Sequence, residues 1–463
     1  PPLDGQLRTA PQREPAKRLG RHRPEASWAP ASAAPAHEVV EPRIGCGAQL
    51  AVERMPSTRS AAAGWLLPVG SCGDPEGDAG EGESTVLSDM LLRGADGMSS
   101  RAFSDALDAL GAQRHSAAGV HHLTVSLLTM GDRMPEALRL ASLAVRRPNL
   151  DAEALEPVRS LALQSLAGLS DEPQHLCMVK LREFAMPRPF NRSGFGTEAG
   201  LKSLTADGIR QAWSRRARPG GTIIGVAGDV DPERIRDHVE RLMAGWEGTA
   251  VEPVQAGEPA LGAHEIALDT QQSHMAIGLP APPERDPDAT AHLVAVRVLG
   301  GATSSRLFRE VREKRGLCYS VGASSTLGRD RGLVQVYAGS THDRAPRTLA
   351  CILQELETLE RGIDEGEFRD AVVGAKSALV MSGESSSARA ATIALQLWRM
   401  GRPRTLAESA AEYDRLTLAG VNAYVAREMG AAWRARRTLV TVAPAPGAAG
   451  QCRAAASSDS MTV

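Results

Sequence analysis

One pentapeptide occurs twice in this chain of 463 residues in nearly the same form. Ser99-Ser100-Arg101-Ala102-Phe103 returns as Ser304-Ser305-Arg306-Leu307-Phe308, 205 residues later, and Gly111 returns at the same offset as Gly316. Asp132-Arg133-Met134-Pro135 returns as Asp343-Arg344-Ala345-Pro346, now 211 residues on, which places six extra residues in the intervening hairpin. Matches in order at three places signify a duplicated unit, so the chain must build one fold twice.

Each half reads alike. A strand (62–69; 273–279) leads through a loop and a helical segment into the Ser-Ser-Arg helix, where Leu307, Phe308 and Val311 form one apolar stripe closed by Gly316. Strands follow at 120–129 in one half, and at 318–325 paired with 332–338 in the other. Helices then start near Pro135 and Pro346, since proline suits a first helical turn. The first half closes on a strand at 220–228, with Asp231-Pro232 as cap and first position of a helix, and the second on a strand at 437–442. Strands and helices in blocks, with hairpins, indicate an α+β fold: two duplicated halves, each a mainly antiparallel sheet packed with helices. The halves span 37–247 and 264–446, joined by a linker at 248–263 rich in Pro, Gly, Glu and Ala; 1–36 and 447–463 read as loose tails, the first disordered.

Composition narrows the function mainly by exclusion. Lys plus Arg number 53 against 55 Asp plus Glu, a formal net charge of −2, without the basic excess that nucleic-acid binding needs. All but five of the basic residues are Arg, which with abundant Ala, Gly and Pro reads as coding bias. Aromatics are 3%, so the cores fall to Ala, Leu, Val and Ile. No run of 18 apolar residues occurs, and the first 36 residues lack the apolar core of a secretory signal. The six cysteines (46, 72, 177, 318, 351, 452) form no C-x-x-C pair and read as reduced thiols, so the expected location is the cytoplasm.

The segment 300–321, GGATSSRLFREVREKRGLCYSV, resembles the C-terminal signature of the insulinase/pitrilysin-type zinc peptidases, a group that includes mitochondrial processing peptidase and its bacterial relatives. Phe195-Gly196-Thr197-Glu198, Lys202-Ser203-Leu204-Thr205 and Ala227-Gly228-Asp229-Val230-Asp231-Pro232 are similar to the first half of that family. Asp269-Thr270-Gln271-Gln272-Ser273-His274 and Gly401-Arg402-Pro403 are similar to the second, so the resemblance covers about residues 38–446. It implies two α+β halves in a peptidase-like clam enclosing a peptide. It also implies an inverted zinc motif, H-x-x-E-H on a helix, in which two histidines ligate zinc and the glutamate is the general base; a further Glu lies some 75 residues downstream.

At the motif's place this chain reads Thr85-Val86-Leu87-Ser88-Asp89. Thr85 and Asp89 stand where the histidines belong and Ser88 where the base belongs. Gln164 and Ser165 occupy the place of the distal ligand. Hydroxyls and an amide are poor zinc ligands, and a serine is no base at neutral pH, so this chain should bind no metal and be inactive alone. His121 and His122, read as neighbours on a strand, would point to opposite faces and could not share an ion. His115 stands where the family has an Asn on the edge strand that pairs with substrate. Glu81 and Glu83 read as solvated loop charges.

The resemblance keeps a second pair intact. The family uses an Arg and a Tyr seven residues apart to hold a substrate carbonyl and the tetrahedral oxyanion, and these positions are Arg312 and Tyr319. A lost zinc motif beside a kept Arg/Tyr pair implies the non-catalytic, substrate-binding subunit of a heterodimer, with a related zinc-bearing subunit as partner. The glycine-rich loop of the processing peptidase's corresponding subunit is short here (300–304), and no G-K-[ST] follows to make it a phosphate loop. Two other readings stay open: a structural core subunit of the kind found in respiratory complexes, and an active peptidase with an atypical metal site.

Overall fold

The computed structural model describes residues 38–249 and 254–445. The tails assigned to 1–36 and 447–463, and residues 250–253 of the linker, lie outside the described residues. The first half runs β1 (Glu38–Val40), β2 (Gln49–Arg54), β3 (Ser60–Leu67), α1 (Glu83–Leu91), α2 (Ser100–Ala109), β4 (Gln113–Ala118), β5 (Leu123–Met130) and α3 (Met134–Arg146). It continues through α4 (Ala152–Ala167), α5 (Pro173–Ala185), α6 (Glu198–Ser203), α7 (Ala206–Arg216), β6 (Ile223–Gly228) and α8 (Pro232–Met243). The second half runs β7 (Gly262–Ala267), β8 (Ser273–Ala281), α9 (Ala289–Gly300), β9 (Ser320–Thr326), β10 (Gly332–Ser340) and α10 (Ala345–Glu360). It ends with α11 (Glu365–Gly383), α12 (Ser386–Met400), α13 (Leu406–Asp414), α14 (Leu418–Tyr424), α15 (Ala431–Ala435) and β11 (Thr438–Ala443).

The duplication is visible in the sheets. The first is ordered β1-β2-β6-β3-β5-β4 and the second β7-β11-β8-β10-β9, one topology twice with β1 added to the first. Both are mainly antiparallel, yet each contains one parallel pair, β2 with β6 and β7 with β11, because the last strand of each half inserts beside its first. Local details differ from the sequence reading. The strand expected at 62–69 is β3 at 60–67, since Pro68 has no N–H to continue the ladder. The second Ser-Ser-Arg segment is a π-helical turn, Phe308–Glu313, although Leu307 and Val311 are buried as the stripe required. The extra residues are not confined to the hairpin turn. They are spread through the approach to β9, the strands and the turns, and two of them lengthen the single-residue link before β4 into Leu317-Cys318-Tyr319 before β9. Strand β7 begins at Gly262, two residues inside the stretch read as linker. Asp231 caps α8 as expected, its Oδ1 accepting from the Arg234 N–H at 2.9 Å.

Each sheet is covered on both faces, which explains why β3 and β6 are almost entirely buried. Ala61, Ala63, Trp65 and Leu67 of β3 point into the main core of the first half. Leu66, with Ala51 and Ile223, meets Ile393, Ala394 and Leu397 of α12, a helix of the second half. The exchange is reciprocal: Cys177 and Leu181 of α5 pack on Ala276, Val440 and Val442 of the second sheet. Burial of a Leu or Ile side chain stabilises by about 1.5–3 kcal/mol, so each exchanged helix ties the halves together appreciably. Glycines let the helices come close. A Cβ on Gly225 would lie 2.2 Å from the Ala390 carbonyl oxygen, and one on Gly278 would lie 2.9 Å from the Ala185 Cβ. Beneath α12, Arg389 donates from Nε to Glu53 at 2.8 Å, an ion pair almost wholly shielded from water.

Candidate functional site

Helix α1 carries the degenerate motif and lies against β4 and α4. Its first turn is not capped by its own residues: Gly82, at φ +117°, supplies no side chain. Asp74 substitutes, its carboxylate accepting from the N–H groups of Gly82 at 3.2 Å and Ser84 at 3.1 Å and from the Ser84 hydroxyl. Arg216, from the end of α7, donates to Asp74 at 2.9 Å and to Glu83 at 2.8 Å, and also to the Gly70 carbonyl. Arg192 donates to the carbonyls of Ser71 at 2.8 Å and Asp74 at 2.6 Å. All of these charges are buried. Burial holds the Glu83 carboxyl above the usual carboxylate range, against the pull of Arg216.

This network corrects the sequence reading. Glu83 is the first residue of α1 and ion-paired, not a solvated loop charge. Glu81 is also largely shielded and lies 3.3 Å from Arg188. Asp74, Arg192 and Arg216 were missed, because Asp74 and Arg216 are 142 residues apart and no local pattern joins them.

The motif positions themselves are occupied with local bonds. Thr85 donates its hydroxyl to the Gly194 carbonyl, and Ser88 donates to the Thr85 carbonyl at 2.8 Å. Asp89 is half-buried; desolvation raises its carboxyl, while Arg93 and His115 pull it down. His115 lies on β4, the edge strand of the first sheet, and is exposed. Gln164 and Ser165 lie exposed on α4. A tight divalent site needs several basic donors converging on one point. One carboxylate with hydroxyls engaged elsewhere does not fit zinc, and among the described residues no group of three or more His, Cys, Asp or Glu is arranged to hold a metal ion. His121 and His122 are not on a strand: they form the turn between β4 and β5, and both rings meet Trp398 with centroids 4.7 Å apart. They pack on a shared neighbour rather than on opposite faces.

The structure brings Arg312 and Tyr319 together. The Arg312 guanidinium lies over the Phe308 ring at 4.7 Å and over the Tyr319 ring at 5.4 Å. The cation is held against two rings, and among the described residues no carboxylate pairs with it. The Tyr319 N–H is tied to the Gly339 carbonyl at 3.2 Å, yet 78% of the residue is exposed, so its phenol faces outward from the start of edge strand β9. Beside it, burial pushes the Cys318 thiol up to about 11, so the thiol stays protonated and unreactive.

Fold and site together define a class: a duplicated α+β peptidase-like chain with one motif dismantled and one polar pair presented. Comparison with known proteins shows what the chain is similar to. Residues 203–373 match the model of the peptidase M16 inactive domain. An uncharacterized zinc protease of Mycobacterium tuberculosis is 28% identical over 393 residues, 83% of this chain and 89% of the relative. One of Bacillus subtilis is 26% identical over 386 residues, 81% and 92% respectively. Among solved structures, a peptidase M16 inactive domain from Pseudomonas fluorescens superposes with a TM-score of 0.79 at 21% identity, covering 88% of this chain and 98% of that one. A chain of complex III2 from Candida albicans does so at 0.74 and 17%, covering 88% and 96%. Over residues 203–373 the chain is thus similar to the peptidase M16 inactive domain, and along most of its length it is similar to proteins named as zinc proteases, in keeping with the resemblance of its motifs.

Proposed function

We propose that this chain is the non-catalytic, substrate-binding subunit of a heterodimeric zinc peptidase, working in the cytoplasm with a related subunit that carries the metal. The observation that carries this reading is the contrast between α1, whose motif hydroxyls are spent on internal hydrogen bonds, and Tyr319, whose phenol is free to reach outward beside Arg312. In this role the guanidinium donates to a carbonyl of the bound peptide and fixes its position. The phenol donates a hydrogen bond to the oxygen on which negative charge develops. Among the described residues no group of three or more His, Cys, Asp or Glu is arranged to hold a metal ion, which supports a partner as the source of the zinc.

The test is to purify the chain alone and together with a relative bearing an intact H-x-x-E-H motif, and to assay peptide cleavage with and without a chelator. Cleavage is expected only in the mixture and only without chelator. Chelator-sensitive cleavage by this chain alone contradicts the reading and supports an atypical active peptidase. The likeness to a chain of a complex III2 structure favours a second reading, a structural core subunit without a proteolytic role. On that reading the mixture gains nothing over the zinc-bearing subunit by itself.

A further inference from the structure

Between the two halves lies a cavity of about 610 Å³, within the range of pockets that hold drug-sized ligands. It is bordered by the β4–β5 and β9–β10 turns and by the exchanged helices α5 and α12. Five arginines line it, Arg182, Arg192, Arg329, Arg331 and Arg399, against a single carboxylate, Asp330, which itself sits 3.4 Å from Arg285. Arg399 pairs with Glu284 at 2.8 Å, and Arg192 donates to two backbone carbonyls at 2.8 and 2.6 Å. Arg331 lies over the Phe190 ring at 5.8 Å. Among the described residues Arg182 has no carboxylate partner, its Nε is buried without an acceptor, and it donates to the Phe190 carbonyl at 3.3 Å. The Nε of Arg399 is likewise buried without an acceptor. Burial of a guanidinium without a counter-charge is costly, and it lowers the Arg182 pKa. His122, 9% exposed, also lines the cavity with no hydrogen-bond partner; burial, His121 and the neighbouring arginines push it down to about 3, so it is neutral. An anion is therefore what the cavity lacks.

The walls say what kind. Phe190 and Trp398 hold the His121 ring between them, at 5.0 and 4.7 Å, and offer apolar area far beyond what a bare oxyanion would use. Ala118 and Thr326, the last residues of β4 and β9, also line the cavity. These are the edge strands of the two sheets, whose free backbone groups are suited to an extended chain. We propose that the cavity binds an acidic peptide segment, its carboxylates meeting the guanidinium groups of Arg182 and Arg329, neither of which is ion-paired among the described residues, and its methylene stems resting on the aromatic wall. The choice of a peptide rests on the function proposed above; the need for an anion does not.

The test is titration of the full chain with labelled tetraglutamate, tetraglutamine and inorganic phosphate. Tetraglutamate is expected to bind in a salt-sensitive way and tetraglutamine not to bind. Arg182→Gln and Arg329→Gln should each weaken binding about tenfold, the loss of one charge-assisted hydrogen bond. Arg182→Lys should retain part of it, and a thermal melt shows that each variant is folded. Equal binding of both peptides, no binding of tetraglutamate, an unaffected Arg182→Gln, or binding of phosphate alone overturns the proposal. Tyr319→Phe separates it from the function above: that substitution should leave tetraglutamate affinity unchanged, whatever it does to cleavage in the mixture.

Discussion

Helix α1 and the segment from Phe308 to Tyr319 both depart from an ordinary packed fold, and they depart in opposite senses. At α1 the charges are buried and matched, Arg216 against Asp74 and Glu83, and the hydroxyls at the motif positions are turned inward. At Tyr319 an aromatic residue with 78% exposure is held out from the sheet by a backbone bond and a stacked cation. A helix that has lost its chemistry can persist because its buried charges still need one another. An exposed tyrosine contributes little to stability, so its placement points to what it can touch.

The largest effect should come from breaking the buried side of this contrast. Arg216→Ala leaves Asp74 and Glu83 without their shared cation and should cost about 3–5 kcal/mol in denaturant unfolding. A loss under about 1 kcal/mol would mean that the network does not secure α1. Next come the exchanged helices: Gly225→Val, pressed on a backbone carbonyl of α12, should cost about 3 kcal/mol, and Gly278→Val, pressed on a side chain of α5, about 1 kcal/mol. A smaller loss for Gly225→Val than for Gly278→Val would show that α12 gives way more easily than α5. On the presented side, Arg312→Ala and Tyr319→Phe should change stability by no more than about 0.5 kcal/mol. The smallest effect sharpens the reading of α1. Because burial raises the Asp89 pKa, the folded chain holds that proton more tightly than the unfolded one, and stability falls as pH rises through the raised value. Asp89→Asn should therefore melt at the same temperature or slightly higher at neutral pH, with a flatter dependence on pH in melts across a pH series. A clear loss would mean that the carboxylate is kept for a favourable contact.

Much of this was legible in the sequence. The repeat of Ser-Ser-Arg and of Asp-Arg-x-Pro implied one fold built twice, and the sheets carry the same strand order. Leu307, Val311 and the Asp231 cap followed from spacing and local chemistry. What escaped was non-local. The Asp74–Arg216 pair spans 142 residues, and the exchange of α5 and α12 places each helix on the sheet of the other half. Neither leaves a mark in hydrophobic periodicity, which records that a face is buried but not what buries it. The π-helical turn at 308–313 escaped because its apolar positions fit an α-helix as well. Glu83 was misread because a charge near a helix start is usually solvated; only the fold brings Arg216 to it.

The central claim is that this chain acts through Tyr319 on a peptide cleaved at a partner subunit's zinc, and the most direct measurement is the cleavage rate of the reconstituted pair with Tyr319→Phe. The phenyl ring keeps its stack with Arg312 and removes only the hydroxyl, so assembly and stability should be unchanged while the rate falls by about 10²–10³. A pair that cleaves at the undiminished rate with Phe at position 319 contradicts the claim and leaves the structural core reading.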